Sequence, residues 1–166
     1  DSNIMVSLDS LWIILAAMGA VVWLGILISP WQPWRNRERF AVDDWEIENT
    51  DLRQATVLIP ARNEAKFIGS VLAALGKQGD GLAIILIDDR SDDGTVEAAR
   101  RAAPENCNLL IVAGAPLPSG WAGKMWALEQ GLAHVKTPLV LLLDADISLA
   151  CGTLPALIKA KQAKGV

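Results

Sequence analysis

The chain has 166 residues, a formal net charge of −4 at pH 7 and a sequence pI of about 4.9. This acidic balance argues against nucleic acid as the main partner, because phosphate backbones bind basic surfaces. Apolar residues make up 52% of the chain and the mean hydropathy is +0.30, values that are high for a purely soluble domain and favour a membrane segment.

The first predicted element is the uncharged run "LWIILAAMGAVVWLGILI", residues 11–28. As a helix, this run spans about 27 Å, close to the hydrocarbon thickness of a thin bilayer. Trp12 lies near one end, and Trp31 and Trp34 follow the other end, where tryptophan rings favour the membrane interface. The pattern predicts that residues 1–34 form an N-terminal membrane anchor.

The charges on either side of this run predict its orientation. Arg35, Arg37 and Arg39 follow it, whereas only Asp1 and Asp9 precede it. By the positive-inside rule, the rest of the chain is expected in the cytoplasm, held at a bacterial inner membrane by a single pass. Two alternatives are a cleaved signal peptide, whose basic leading region is absent from this sequence, and a buried core helix, which would not be apolar all round.

Residues 35–54 are strongly charged and predict a juxtamembrane linker. Beyond them, short runs of Leu, Ile and Val predict strands that alternate with segments of helical apolar spacing. Near-continuous apolar strands are typical of a parallel sheet buried on both faces. Residues 55–166 are therefore expected to form an α/β domain, with strands over 55–61, 82–89, 108–114 and 138–146 and helices over 64–78, 91–104, 124–135 and 152–162.

Polar side chains gather where the predicted strands end. In open α/β sheets, ligands bind beyond the carboxyl ends of the strands, so these side chains predict the edge of a pocket. The residues concerned are Asn63 and Glu64 after the first strand, Asp88 and Asp89 at the end of the second, Asp144 and Asp146 at the end of the fourth, and Lys124 at the start of the preceding helix.

Asp144 and Asp146 are the candidate metal ligands. Two residues apart on an extended strand, they would point to the same side and reach one hard cation through oxygen. Water and substrate phosphates would complete its coordination, and the metal together with Lys124 would neutralise a diphosphate. Asp88 and Asp89 are acceptors better suited to base or ribose donors.

Other polar residues have simpler interpretations. Asp92 and Asp93 are interpreted as helix-capping residues, Cys107 and Cys151 as small core residues in a reducing compartment, and His134 as a helix-surface residue. The sequence lacks a P-loop, a G-x-G-x-x-G after the first strand and a G-x-S-x-G elbow. These absences argue against P-loop nucleotide binding, a dinucleotide cofactor and an α/β-hydrolase.

Four segments in order, "VLIPARNEA", "IILIDDRSDDGT", "GWAGKMWALEQG" and "LLLDAD", resemble the family 2 glycosyltransferases with the GT-A fold over about residues 55–160. "PLPSGWAGKMWA", after a tryptophan-rich N-terminal segment, is similar to the hopanoid-biosynthesis-associated branch. The resemblance implies inverting transfer of a sugar from a nucleoside diphosphate donor, usually a UDP-sugar, with Mg²⁺ or Mn²⁺. The predicted anchor suggests a lipid acceptor.

The resemblance also implies roles for individual residues. Residues 60–64 and Asp89 would line a nucleoside pocket, Lys124 would lie near the diphosphate, and a D-x-D pair would contact ribose or phosphate and the metal. The implied donor-binding residues are Pro60, Ala61, Arg62, Asn63, Glu64, Asp88, Asp89, Lys124 and Asp144, and the implied metal ligands are Asp144 and Asp146.

The family's general base is expected beyond Val166, because no Asp or Glu follows Asp146. We therefore expect residues 55–166 to be the nucleotide-sugar-binding half of a truncated domain that binds donor weakly and catalyses nothing alone. One alternative is a non-catalytic, membrane-tethered nucleotide-binding module. A nucleotidyltransferase would need a glycine-rich basic loop after the first strand, and a phosphorelay receiver would need its lysine after the acidic strand.

Overall fold

The computed structural model describes residues 8–28 and 51–164, which fall in two compact units, Asp1–Arg39 and Phe40–Val166. The predicted linker lies outside the described residues except for its last four positions. Trp31, Trp34 and the three arginines that predicted the orientation of the anchor also lie outside them.

In the first unit, helix α1 (Leu8–Ile28) confirms the predicted apolar helix. Its segment Ser10–Ile28 has a mean hydropathy of 2.6 and none of it is buried. The helix is long and apolar enough to cross a membrane, and its exposure disfavours a core helix. A signal sequence meets the same criteria, so that alternative stays open.

The second unit is an α/β fold, as predicted. Its four described strands form one parallel sheet in the order β3-β2-β1-β4, with helices between successive strands. The strands are β1 (Ala55–Ala61), β2 (Ala83–Asp88), β3 (Asn108–Ala113) and β4 (Leu139–Leu142); the helices are α2 (Ile68–Gly76), α3 (Thr95–Arg101), α4 (Gly123–Leu132) and α5 (Thr153–Lys164), and a short 3-10 helix (Leu52–Gln54) precedes β1.

The two central strands are buried on both faces. Val57 and Ile59 of β1 pack in a core with residues of α2, α3 and α5. Leu58, between them, packs on the opposite face with Ile85 and Ile87 of β2 and with α4. The apolar run of β1 thus reflects burial from both sides, as its composition predicts.

The edge strands β3 and β4 differ from the prediction, because their side chains alternate between more and less exposed. Among the described residues, the face under α4 is covered at its centre but not at its edges. Leu110 of β3 and Leu142 of β4 are therefore 43% and 57% exposed.

Two smaller predictions need correction. Phe67, inside the helix predicted over 64–78, is 41% exposed and precedes α2, which begins at Ile68. Cys151 is exposed and donates a hydrogen bond to the carbonyl of Lys77, so it is not a core residue. Cys107 is half-buried and packs against the core, in partial agreement with its prediction, and burial raises the pKa of its thiol. His134 is exposed, as predicted, in the turn that follows α4.

Candidate functional site

The site lies at the carboxyl edge of the sheet, where the strand order changes direction. From β1 the chain passes to β2 and β3 on one side and then returns to β4 on the other. Loops that diverge from such a switch point leave a crevice between them. Here the crevice is a cavity of about 420 Å³ lined by Pro60, Ala61, Arg62, Glu64, Asp89, Gly123, Lys124, Ala127, Asp144, Ala145 and Asp146.

Most of the predicted site residues lie in this cavity, including both acids after β4 and the lysine of α4. Asn63 and Asp88 do not line it. Their side chains instead accept hydrogen bonds from backbone N–H groups of the loop after β2. Gly123 lines it as well, and so do Ala127 and Ala145, which were not predicted as site residues. A Cβ at Gly123 would lie 3.5 Å from Oδ2 of Asp89, at ordinary contact distance, so the start of α4 lies against that carboxylate.

The loop after β1 is fixed to the loop after β2 by four hydrogen bonds, which we call the loop clamp. Three successive backbone N–H groups in residues 63–65 donate to side chains of residues 91–95, and one bond runs the other way. The bonds are Asn63 N to Ser91 Oγ (2.9 Å), Glu64 N to Thr95 Oγ1 (2.8 Å), Ala65 N to Asp93 Oδ2 (2.9 Å) and Asp92 N to Asn63 Oδ1 (3.0 Å).

Asp93 and Thr95 are the centre of the clamp. Thr95 is fully buried, and its hydroxyl donates to Oδ1 of Asp93 while accepting the N–H of Glu64. The hydroxyl of Thr95 and the N–H of Ala65 hold the pKa of Asp93 below its ordinary value of 3.8. Asp93 also accepts the N–H of Thr95, the first residue of α3, although it lies one position before the N-cap residue and is not itself the predicted cap.

Asp92 does not cap α3 in the predicted way, because the residue at the helix cap is Gly94. Asp92 contributes its backbone N–H to the clamp instead. Ser91 and Thr95 were not predicted as site residues. The serine and threonine of "RSDDGT" were the available signal, since short polar side chains commonly bond to nearby backbone groups.

Each clamped loop contains a residue with a left-handed backbone. Asn63 and Arg90 both have a φ of 58°, and each lies two positions beyond its strand. Asparagine tolerates this conformation, but a long side chain such as arginine pays a cost for it. The left-handed backbone at Arg90 is therefore maintained by the surrounding structure rather than by the conformational preference of arginine.

Asp89 is a partly buried acceptor at the floor of the cavity. Its backbone N–H donates to the carbonyl of Ala61 at 2.8 Å, which extends the pairing of β1 and β2. Its side chain is 18% exposed and lies 3.6 Å from Arg62 Nη1 and 3.5 Å from Arg90 Nε. A carboxylate placed in this way suits donors from a base or a ribose.

The two acids after β4 lie in a turn, so the predicted strand geometry is wrong. The strand ends at Leu142, and the N–H of Ile147 donates to the carbonyl of Asp144 at 3.1 Å. Leu143 and Ala145 are buried, which leaves Asp144 and Asp146 facing the cavity. The pair thus reaches a common site through a turn rather than through an extended strand.

Lys124 is the positive partner of Asp144. Its Nζ donates to Oδ1 of Asp144 at 2.5 Å, and both side chains are more than half exposed. Helix α4 places this lysine by packing closely on the sheet, since a Cβ at Gly131 would come within 2.7 Å of Ile87 Cδ1. The ammonium therefore stands over the turn that carries both acids.

The donor set at this turn fits a hard divalent cation. Asp144 and Asp146 supply carboxylate oxygens to one cavity, and oxygen ligands are those that Mg²⁺ and Mn²⁺ prefer. Within residues 8–28 and 51–164, no group of three or more His, Cys, Asp or Glu side chains is placed to hold a metal. Two acids leave positions for water and for ligand oxygens, as magnesium sites with phosphate substrates usually do.

Comparison with known proteins agrees with this geometry. The family model described as glycosyl transferase family 2 matches residues 56–166. A 4,4'-diaponeurosporenoate glycosyltransferase of Staphylococcus haemolyticus is 30% identical over 114 residues, 69% of this chain and 30% of that protein. An undecaprenyl-phosphate 4-deoxy-4-formamido-L-arabinose transferase of Aeromonas hydrophila is 33% identical over 118 residues, 69% of this chain and 35% of that protein.

Among solved structures, a mannosyltransferase from Pyrobaculum calidifontis in complex with GDP-Man and Mn²⁺ aligns with a TM-score of 0.62 and 25% identity. The alignment covers 88% of this chain and 42% of that one. The chain spans about a third of the length of the curated relatives. The α/β unit thus has the predicted GT-A fold.

Proposed function

Because the chain belongs to glycosyl transferase family 2, we propose that the full-length protein transfers a sugar from a nucleoside diphosphate donor to a lipid or lipid-linked acceptor. The main observation that supports this proposal is the cavity at the switch point of the sheet. It combines a partly buried acceptor, Asp89, with a lysine and two acids that suit a diphosphate and its metal.

The nucleoside would lie against residues 60–64 and Asp89. The loop clamp fixes these residues before any ligand arrives, because the N–H groups of Asn63, Glu64 and Ala65 are already bonded. Their backbone is therefore held in one conformation, which reduces the ordering cost of binding. Uridine is the predicted base, as the family resemblance implies.

The diphosphate would lie over the turn after β4. The ammonium group of Lys124 would leave Asp144 and bind the phosphate oxygens instead. Asp144 and Asp146 would then hold Mg²⁺ or Mn²⁺. When bound, such a cation stabilises negative charge on a leaving diphosphate as a Lewis acid. The base that deprotonates the acceptor hydroxyl is predicted beyond Val166.

The curated relatives and the apolar helix α1 support the proposal for the acceptor and for the location of the protein. The two curated relatives are named for 4,4'-diaponeurosporenoate and for undecaprenyl phosphate, and α1 has the length and composition of a membrane span. These observations support a lipid acceptor, with residues 1–34 as anchor, 35–54 as linker and 55–166 as the donor-binding half in the cytoplasm. A role in hopanoid biosynthesis is the narrower prediction from "PLPSGWAGKMWA".

The proposal is tested by titrating UDP, GDP and ADP into the chain in detergent micelles, with Mn²⁺ or with EDTA, by calorimetry. We expect UDP to bind best, and only with metal. Asp146→Ala should weaken the metal-dependent binding by tenfold or more, as loss of a ligand to an essential cation typically does. Glu105→Ala, which removes an exposed acid at the opposite edge of the sheet, should have no effect.

Unchanged metal-dependent binding in Asp146→Ala would show that the metal assignment is wrong. Failure of the folded chain to bind any nucleotide would contradict the donor site. The transfer step is tested on the full-length protein with labelled nucleotide sugars and a bacterial lipid extract. Nucleotide binding without a labelled lipid product would favour the non-catalytic module.

A further inference from the structure

A second surface at the same edge of the sheet does not line the donor cavity. Residues 114–122, which we call the apolar loop, connect β3 to α4, and residues 113–123 contain no charged side chain. Leu117, Trp121 and the adjoining Met125 are 45%, 42% and 57% exposed. Exposed large apolar side chains on and beside an uncharged loop mark an interaction surface.

The apolar loop is fixed to α4 rather than loosely placed. The indole N–H of Trp126 donates to the carbonyl of Ala115 at 3.2 Å, and the N–H of Ala115 donates to Gln130 Oε1 at 2.6 Å. Gln130 in turn donates to the carbonyl of Trp126 at 3.0 Å. The ring of Trp121 packs edge-on against that of Trp126, with centroids 5.3 Å apart. Leu117 and Trp121 are therefore exposed on a loop that is held in place by α4.

The chemistry of the apolar loop favours lipid over a charged partner. It offers no charge with which an acidic or basic peptide could pair, and its exposed indole is the side chain that concentrates at membrane interfaces. The chain also contains α1, which has the length and apolarity of a membrane span. Residues 29–50, 22 in number, separate α1 from the next described segment, and a chain of that length reaches at most about 80 Å.

A membrane-tethered domain meets the bilayer surface at a high effective concentration, so a small apolar surface is enough to hold it there. We infer that the apolar loop, with Leu117 and Trp121, inserts into the interfacial region of the lipid bilayer. Trp121 precedes Gly123 and Lys124 of the cavity by two and three positions. Insertion therefore brings the mouth of the cavity to the membrane surface, a consequence for the acceptor that rests on the proposed function.

The inference is tested on the whole chain in nanodiscs of phosphatidylcholine and phosphatidylglycerol. Cys107→Ser and Cys151→Ser provide a cysteine-free background, in which Ser119→Cys of the apolar loop or Glu105→Cys of the opposite edge is labelled with an NBD fluorophore. We expect blue-shifted NBD emission and several-fold stronger quenching by doxyl-labelled lipid at position 119 than at position 105. Adding Trp121→Glu and Leu117→Glu should return the emission at position 119 to that of water while UDP binding is retained.

Equal emission at the two positions would overturn the inference, whatever the outcome for UDP binding. A blue shift without quenching by lipid would overturn it too, since another protein surface would then cover the apolar loop. Lipids carrying a photoactivatable diazirine provide a measurement on the unmodified chain: cross-links should concentrate in residues 114–125. Cross-links spread evenly over the domain would contradict insertion.

Discussion

The two sides of the cavity are built differently. On the side of β1 and β2, three successive N–H groups of residues 63–65 are bonded to the loop after β2. On the side of β4, Asp144 and Asp146 lie in a turn and a single exposed lysine pairs with Asp144. The first side is rigid before ligand arrives, whereas the second side holds charges that must be rearranged when ligand arrives.

This difference matches the two ends of the proposed donor. A base and a ribose are recognised by fixed hydrogen-bonding groups, and fixing those groups in advance lowers the cost of binding. A diphosphate and its metal bring their own charges, so the residues that receive them must exchange partners. A substitution on one side of the cavity therefore leaves the other side as an internal reference.

The largest effect is expected for Thr95→Val, which breaks the rigid side. The change keeps the size of a fully buried side chain but leaves the N–H of Glu64 without its acceptor, at a cost of about 1–3 kcal/mol. Hydrogen exchange of the amides in residues 63–65, followed by mass spectrometry, should accelerate by about tenfold or more, since 1.4 kcal/mol corresponds to a factor of ten. Exchange in residues 143–148 should be unchanged.

Ser70→Ala is the matched control, because it removes an exposed hydroxyl that bonds locally to the carbonyl of Phe67. It should leave exchange in residues 63–65 as it is. Equal acceleration on both sides of the cavity in Thr95→Val would mean that the clamp stabilises the whole domain rather than one side of it.

Lys124→Gln tests the exchangeable side and should have opposite effects on two ligands. Removing the ammonium frees Asp144, so Mn²⁺ alone should bind up to about fivefold more tightly, the range expected for a largely exposed ion pair. UDP in the presence of Mn²⁺ should bind about tenfold less tightly, because a charged hydrogen bond to phosphate is lost. Mn²⁺ binding is measured by electron paramagnetic resonance and UDP binding by calorimetry.

Lys136→Gln makes the same charge change at an exposed lysine before β4, at the opposite edge of the sheet. It should leave both affinities unchanged. If Lys124→Gln weakened Mn²⁺ and UDP binding together, Lys124 would be holding the acidic turn in place rather than competing for it.

A smaller effect is expected from pH, through Asp93. Its pKa in the folded chain lies below 3.8 because of its hydrogen bonds to Thr95 and Ala65. A lowered carboxyl pKa contributes stability that is complete above the unfolded value and is lost as the pH falls through the folded value. The urea midpoint of the α/β unit, followed by tryptophan fluorescence between about pH 5 and pH 2, should therefore fall less steeply with acidification in Asp93→Asn than in the unmodified chain. Asp92→Asn, whose side chain takes no part in the clamp, should keep the original slope.

Sequence patterns predicted the centre of the fold better than its edges. The apolar runs of β1 and β2 indicated burial on both faces, and the topological rule for open sheets located the cavity at the ends of β1, β2 and β4. The exposure of Leu110 and Leu142 depends on which strands lie at the edges, and local composition does not encode strand order. The early end of β4 was missed because the apolar run continues through Leu143, beyond the last residue of the strand at Leu142.

The polar partners of the site were harder to predict for a related reason. The clamp joins residues about 30 positions apart, and Lys124 meets Asp144 across 20 positions. Only the fold brings these pairs together. The prediction that Lys124 and both acids border one pocket agrees with the cavity lining, because their position at predicted strand ends was readable from the sequence; their roles toward a phosphate and a metal stay predictions.

The smallest effect, on the rigid side, concerns the strained turn at Arg90. Asparagine adopts a φ of 58° more readily than arginine or alanine, so Arg90→Asn should be more stable than Arg90→Ala by about 0.5–1 kcal/mol. The two variants lose the same 3.5 Å contact with Asp89, and their difference in urea unfolding therefore measures the backbone strain alone. Equal stability of the two variants would show that the backbone at position 90 is not strained. If Arg90→Asn is also more stable than the unmodified chain but binds UDP less tightly, the strained backbone is retained because it places the guanidinium beside Asp89.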